Sequence, residues 1–243
     1  MKILIIRHGE PDYSVDSLTD KGWREARLLA DRLCRMPIDD FYVSPLGRAR
    51  DTAKPTLERL GKTAQTLNWL EEFRGKYMDP KTGEESYAWD LMPQYWTRCP
   101  ELYDREGWRQ NSVYAHGNSL EVYDETCRGL DALLADYGYT RMHGYYITEH
   151  NSRKTIALFC HFAVAMLMLS HLLGVSPVPL LHGVLLPTSS VTLLQTEERR
   201  PGQVVFRCFG IGDTSHLYAA GEPVSYMGLF HEFYGEDEGR GSK

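Results

Sequence analysis

The stretch "KILIIRHGE" at residues 2–10 constrains the chain more than any other. A short apolar run suited to a strand covered on both faces leads straight into Arg7 and His8. An unpaired guanidinium is too costly to leave inside a sheet, so the strand must end where the charge begins. "DFYV" at 40–43 and "TIALFC" at 155–160 are runs of the same kind, and each is followed by a helical pattern.

After the first run, Thr19 can cap a helix in which Trp23, Ala26, Ala30 and Leu33 share a face. After the second, Ser44 and Pro45 offer an N-cap and first-turn pair for "PLGRARDTAKPTLERL", and Pro55 is expected to kink or end that helix. After the third, "FAVAMLMLSHLLG" is apolar nearly all round and stops at Gly174. Strands alternating with helices predict an α/β fold with a parallel sheet and right-handed crossovers. "SSVTLLQT" (189–196) and "QVVFRCFG" (203–210) read as a hairpin at one side of that sheet, and 118–137 as an amphipathic helix with Leu120, Tyr123, Leu130 and Leu134 among its apolar positions.

Between these parts, 73–117 is rich in Tyr, Trp, Pro and charge, with weak periodicity. It reads as a cap inserted into a single domain spanning 1–243, either a lid over a pocket or a surface excursion whose aromatics cover the core. The tail "GEDEGRGSK" is expected to fray.

With 243 residues, 42% of them hydrophobic, the chain can bury a full core. Its net charge of -6 argues against a nucleic-acid or anionic-membrane surface, so any anion site must be concentrated. Cys34, Cys99, Cys127, Cys160 and Cys208 form no Cys-x-x-Cys pair, and the longest apolar stretch is interrupted by His161 and His171. A soluble cytoplasmic protein is the expectation.

Ligands of doubly wound sheets bind beyond the carboxyl ends of the strands. Three such ends carry Arg7 and His8, Arg48, and His161. Two guanidiniums, two imidazoles and a helix N-terminus suit a tetrahedral dianion, and neutral imidazole can take up a phosphoryl group. The leaving alkoxide then needs an acid, for which "WLEEFRG" offers Glu71 and Glu72. A metal site built on His161, His171 and His182 has no supporting His-x-x-x-His or Asp-x-Asp pair, and no metal or other cofactor is expected.

"RHGE" (7–10), "LTDKGWREA" (18–26), "SPLGRARDT" (44–52), "LEEFRG" (70–75) and "FCHFAV" (159–164) together resemble the ordered signatures of the histidine phosphatase superfamily, the phosphoglycerate mutase-like fold. The resemblance implies a three-layer sandwich with a mainly parallel, about six-stranded sheet between helices. It implies His8 as the phosphorylated nucleophile, with Arg7, Arg48 and His161 completing the phosphate pocket. It favours Glu72 over Glu71 as the acid. Two departures stand out. Phe162 and Ala163 follow the second histidine where many members have Gly. Pro11 and Asp12 follow Arg-His-Gly-Glu where many have Thr and, a little later, a phosphate-binding Asn.

The leading expectation is a metal-independent phosphomonoesterase acting on a small phosphorylated metabolite. Its rivals are a cofactor-dependent mutase using the same His8 and a catalytically degenerate phosphoanion-binding protein. "GDTSHLYAAGE" at 212–222 is distinctive: His216 could line the pocket or belong to a structured C-terminal loop.

Overall fold

The computed structural model describes residues 1–79 and 81–228. The expected tail at 235–243 lies outside the described residues. The chain runs β1 (Lys2–Arg7), α1 (Asp20–Leu33), β2 (Asp40–Val43), α2 (Gly47–Leu60) and β3 (Gln65–Thr66). After the inserted segment come α3 (Ser119–Asp136), β4 (Thr140–Met142), β5 (Tyr145–Ile147), β6 (Thr155–Cys160), α4 (Phe162–Leu173), α5 (Pro177–Gly183), β7 (Val191–Arg200), β8 (Gln203–Asp213) and α6 (Ser215–Ala220).

All eight strands join one sheet in the order β3-β2-β6-β1-β7-β8-β5-β4. From β3 to β1 neighbours are parallel, with Lys2 opposite Thr155 and Arg7 opposite Cys160. From β1 onward they are antiparallel. The three apolar runs are therefore adjacent parallel strands, and the late hairpin extends the sheet on the far side of β1. The sheet has two strands more than the expected six because the hairpin of β4 and β5 continues it beyond β8. Three-residue strands are too short to carry a readable alternation.

Side-chain alternation along β1 splits the core in two. Ile3 and Ile5 face α3 and α4 among Leu130, Leu134 and the fully buried Val164 and Leu167. Leu4 and Ile6 face α1 and α2 among Leu29, Leu33, Ala49 and Ala53. Helices thus cover both faces, giving the three layers expected.

Thr19 caps α1 as predicted, accepting the Gly22 N–H at 3.1 Å. The reading of α2 is corrected in two respects. The helix opens at Gly47 with Leu46 as cap residue, and it continues through Pro55 to Leu60. Ser44 stands two residues ahead of the cap, its Oγ accepting the Leu46 N–H at 3.3 Å and lying 2.7 Å from His161 Nε2. Pro55 removes one helical N–H, and the burial of Thr52, Ala53 and Thr56 on the same helix outweighs that loss.

The inserted segment folds as a hairpin of Lys76–Met78 with Glu85–Tyr87, followed by short helical turns. Tyr77, Leu102, Trp108, Val113 and Tyr114 are buried in the same cluster as Leu130 and Leu134, so its aromatics cover the common core. Trp108 packs edge-on against Tyr114 and Tyr123, with centroids 5.8 and 5.0 Å away. No helix among the described residues is long and apolar enough to cross a membrane.

The loop after β1 lies directly on the first turn of α1. A Cβ at Gly22 would come within 2.2 Å of Glu10 O, so no side chain fits there without moving backbone. Gly22→Ala is expected to lower unfolding free energy by about 1–3 kcal/mol, read from the urea midpoint at unchanged m-value. An unchanged midpoint would show that the loop yields freely.

Candidate active site

The end of β1 is held on every side. The Arg7 N–H donates to Ser190 O at 3.1 Å, the His8 N–H to Cys160 O at 3.0 Å, and the Ser189 N–H to His8 O at 2.9 Å. The next two amides are taken by side chains: Gly9 N–H by Thr52 Oγ1 and Glu10 N–H by Glu25 Oε2, each at 2.8 Å.

The His8 ring is buried, with Nδ1 2.7 Å from Gly9 O. A carbonyl only accepts, so Nδ1 carries the hydrogen and Nε2 presents its lone pair. Burial, then the charges of Arg7 and Arg48, push the His8 pKa well below 6.5 despite the bond to Gly9, so the ring is neutral near pH 7.

Arg7 is itself buried and donates through Nη1 to Leu186 O. Arg48, in the first turn of α2, donates to Asp16 Oδ1 at 2.7 Å, while Asp16 Oδ2 accepts the Gly47 N–H at 2.6 Å. The Arg48 guanidinium lies 5.5 Å from the centre of the Tyr13 ring.

His161 caps α4, and its ring centroid lies 5.1 Å from that of His8. Its Nε2 is 2.7 Å from Ser44 Oγ, and its buried Nδ1 has no hydrogen-bond partner among the described residues. Burial, then His8, Arg48 and Arg7, lower its pKa well below 6.5.

Glu72 sits at the start of α4. Its Oε1 accepts N–H bonds from Phe73, Ala163 and Val164 at 2.9, 3.0 and 3.2 Å. That leaves Oε2 as the oxygen able to carry a proton. Burial raises the Glu72 pKa, opposed by the backbone donors and by Arg7 and Arg48. Glu71 points elsewhere and pairs with Arg74 at the surface.

Arg7 and Arg48 thus act electrostatically on His8, Glu72 and His161, and His8 acts on His161. The histidines of the metal alternative are engaged separately: His171 Nε2 lies 2.9 Å from Asp131 Oδ1, and His182 Nδ1 lies 2.8 Å from Val178 O.

Sequence reasoning missed the groups that hold these side chains. Ser44 reads as a cap, Thr52 and Ser189 fall inside a helical and a strand pattern that do not mark them as anchors, and Asp16 and Thr188 lie in stretches without periodic signal. Glu25 was detectable. It lies on the buried stripe of α1 with Gly22, Ala26 and Leu29, where a carboxylate needs partners, and it accepts from Glu10 N–H and from Thr188 Oγ1 at 2.9 Å.

The titrations predict how stability depends on pH. His8, His161, His182 and His216 all have folded pKa values below 6.5, so below that pH the unfolded chain binds protons that the fold refuses. Glu25 and Glu72, with raised values, act in the opposite sense. Because four imidazoles oppose two carboxyl groups, denaturation is expected to show lower stability at pH 5.5 than at pH 7.5. Equal stability at the two values would mean that the raised carboxyl groups cancel the imidazoles or that the imidazoles are protonated in the fold.

Residues 3–208 match the family profile described as the histidine phosphatase superfamily, branch 1. A probable phosphatase of Schizosaccharomyces pombe is 40% identical over 67 residues, 24% of this chain and 32% of that protein. The 2,3-bisphosphoglycerate-dependent phosphoglycerate mutase of Thermoplasma acidophilum is 39% identical over 96 residues, 35% of this chain and 48% of that one. The chain thus spans about a third and about half of the length of these two relatives. Among solved structures, a variant phosphoserine phosphatase of Entamoeba histolytica in complex with phosphoserine has a TM-score of 0.60 at 20% identity, covering 89% of this chain and 98% of its own. A mycobacterial glucosyl-3-phosphoglycerate phosphatase also has a TM-score of 0.60, at 18% identity, covering 88% and 99%. At these identities the likeness is one of fold.

Proposed function

We propose that this chain, which belongs to the histidine phosphatase superfamily (branch 1), hydrolyses phosphomonoesters of small metabolites through a phosphohistidine on His8. The observation that carries the reading is the fixed tautomer of His8, whose Nδ1–H is bound to Gly9 O and whose Nε2 lone pair remains for attack on phosphorus. Arg7 and Arg48 supply the positive charge that a transferring phosphoryl group requires, and His161 adds a ring nitrogen beside them. The reaction proceeds in two displacements. His8 Nε2 forms a bond to phosphorus as the ester oxygen leaves, and the proton on Glu72 Oε2 goes to that oxygen. The Glu72 carboxylate then takes a proton from water as the water oxygen displaces phosphate from His8.

The substrates named for two structural relatives, phosphoserine and glucosyl-3-phosphoglycerate, are both small organic phosphates, which supports that substrate class. The similarity to the Thermoplasma mutase supports a second reading, in which the phosphoryl group returns from His8 to a retained intermediate. Assays of 3-phosphoglycerate with and without 2,3-bisphosphoglycerate separate the two: release of inorganic phosphate marks hydrolysis, and formation of 2-phosphoglycerate marks the mutase.

Rapid quench with a ³²P-labelled substrate in the presence of EDTA should trap an acid-labile, base-stable phosphoenzyme, lost in His8→Ala. Label on serine or cysteine, or full activity in that variant, would overturn the assignment. Glu72→Gln keeps the shape of the side chain and removes its proton. It is expected to slow phosphoenzyme formation from alkyl phosphates by about 10²- to 10⁴-fold while p-nitrophenyl phosphate, whose leaving group needs no proton, suffers far less. Equal losses on both substrates would make Glu72 structural, and a leaving-group-dependent loss in Glu71→Gln would move the acid by one residue.

A further inference from the structure

The turn at 186–190 lies against the back of the loop that carries Arg7 and His8. Leu186 O accepts the Arg7 guanidinium, Ser190 O accepts the Arg7 N–H, and Thr188 Oγ1 donates to Glu25, which holds the Glu10 N–H. Ser189 reaches His8 itself, its N–H donating to His8 O at 2.9 Å. It does so at a φ of 56°, a left-handed conformation that serine rarely adopts.

The Ser189 hydroxyl is held from behind by His216, whose Nε2 lies 3.1 Å from Ser189 Oγ. His216 stands in the first turn of α6 and is buried. Its Nδ1 has no hydrogen-bond partner among the described residues, so this is the single polar contact found for its ring. Burial lowers its pKa to about 4, so it meets Ser189 as a neutral imidazole. A residue needed only to fill space at that position would be apolar, because a buried ring nitrogen without a partner costs free energy.

We infer that His216 is a positioning residue for His8, acting through Ser189. The inference rests on the reading of His8 as the phosphorylated nucleophile. His216 fixes the Ser189 hydroxyl, and so the Ser189 peptide, whose N–H clamps the His8 carbonyl. That carbonyl shares a peptide plane with the Gly9 nitrogen, and Gly9 O is the acceptor that sets the His8 tautomer. The clamp from Ser189 and the bond from His8 N–H to Cys160 O grip the residue from opposite sides. Without the first, the peptide after His8 keeps only the bond from Gly9 N–H to Thr52 Oγ1, and a tilt of that plane shifts Gly9 O relative to Nδ1.

The test separates rate from binding in His216→Ala, His216→Gln and Ser189→Gly. Glutamine can place an amide nitrogen near the position of Nε2, and glycine adopts the left-handed turn unaided. In folded His216→Ala, single-turnover phosphorylation of His8 should slow about 10- to 100-fold while vanadate affinity, set by the arginines, stays within about threefold. His216→Gln and Ser189→Gly should each recover most of the rate. An unchanged phosphorylation rate in His216→Ala, or parallel losses of rate and vanadate affinity in all three variants, overturns the proposal. Should wild-type protein form no phosphohistidine from any phosphomonoester, the phosphatase reading fails by itself. The clamp is then read from the ¹⁵N signals of the His8 ring: a loss of the single Nδ1–H tautomer in His216→Ala supports it, and an unchanged pattern overturns it.

Discussion

The structure around the strand end depends on burying one guanidinium. Arg7 closes the central strand at 5% exposure, where an uncompensated charge would cost several kcal/mol. Leu186 O accepts its hydrogen bond, and Tyr13, then Glu72 and Glu25, favour its charge against burial. Leu186, Glu72 and Glu25 come from the turn before β7, the loop ahead of the insertion, and α1. Placing Arg7 therefore fixes how three separate parts of the chain meet.

The same charge sets the states of its neighbours. It joins burial in driving His8 and His161 towards neutrality, and it works against burial at Glu72. The first amides of α4 go to Glu72, since Ala163 and Val164 both donate to its Oε1. The positive end of α4 is thus directed at the carboxyl group. Phe162 and Ala163, in place of the glycine seen in many members of the family, are compatible with this arrangement because the contact runs through backbone N–H groups.

The inserted segment contributes to the core and reaches the same neighbourhood. Lys76 Nζ lies over the Tyr87 ring at 3.2 Å, Tyr87 stacks on Trp89 at 4.9 Å, and Trp89 packs at 6.5 Å against Phe73, the residue after Glu72. This ladder ties the insertion to the backbone that presents the carboxyl group. Its aromatic composition, which in the sequence distinguishes neither a lid nor a cover, is explained in part by the burial of Tyr77, Trp108 and Tyr114.

The sequence by itself determined the three apolar strands, the late hairpin, the helices after them and the placing of Arg7, His8, Arg48 and His161 beyond the strand ends. Each of these rests on a local rule: apolar runs long enough for a covered strand, helical spacing, a capping threonine, and charge placed where a strand must stop. Only the tertiary structure decided the rest. Whether Pro55 ends a helix depends on what buries Thr52 and Thr56, and the contact of Ser44 with His161 depends on a residue 117 positions away. The β4–β5 hairpin is defined by pairing with β8, and the roles of Asp16, Glu25, Ser189 and His216 are hydrogen bonds between segments far apart in sequence. Such bonds leave no periodic trace, because each partner is chosen by the distance and direction of one atom in the folded chain.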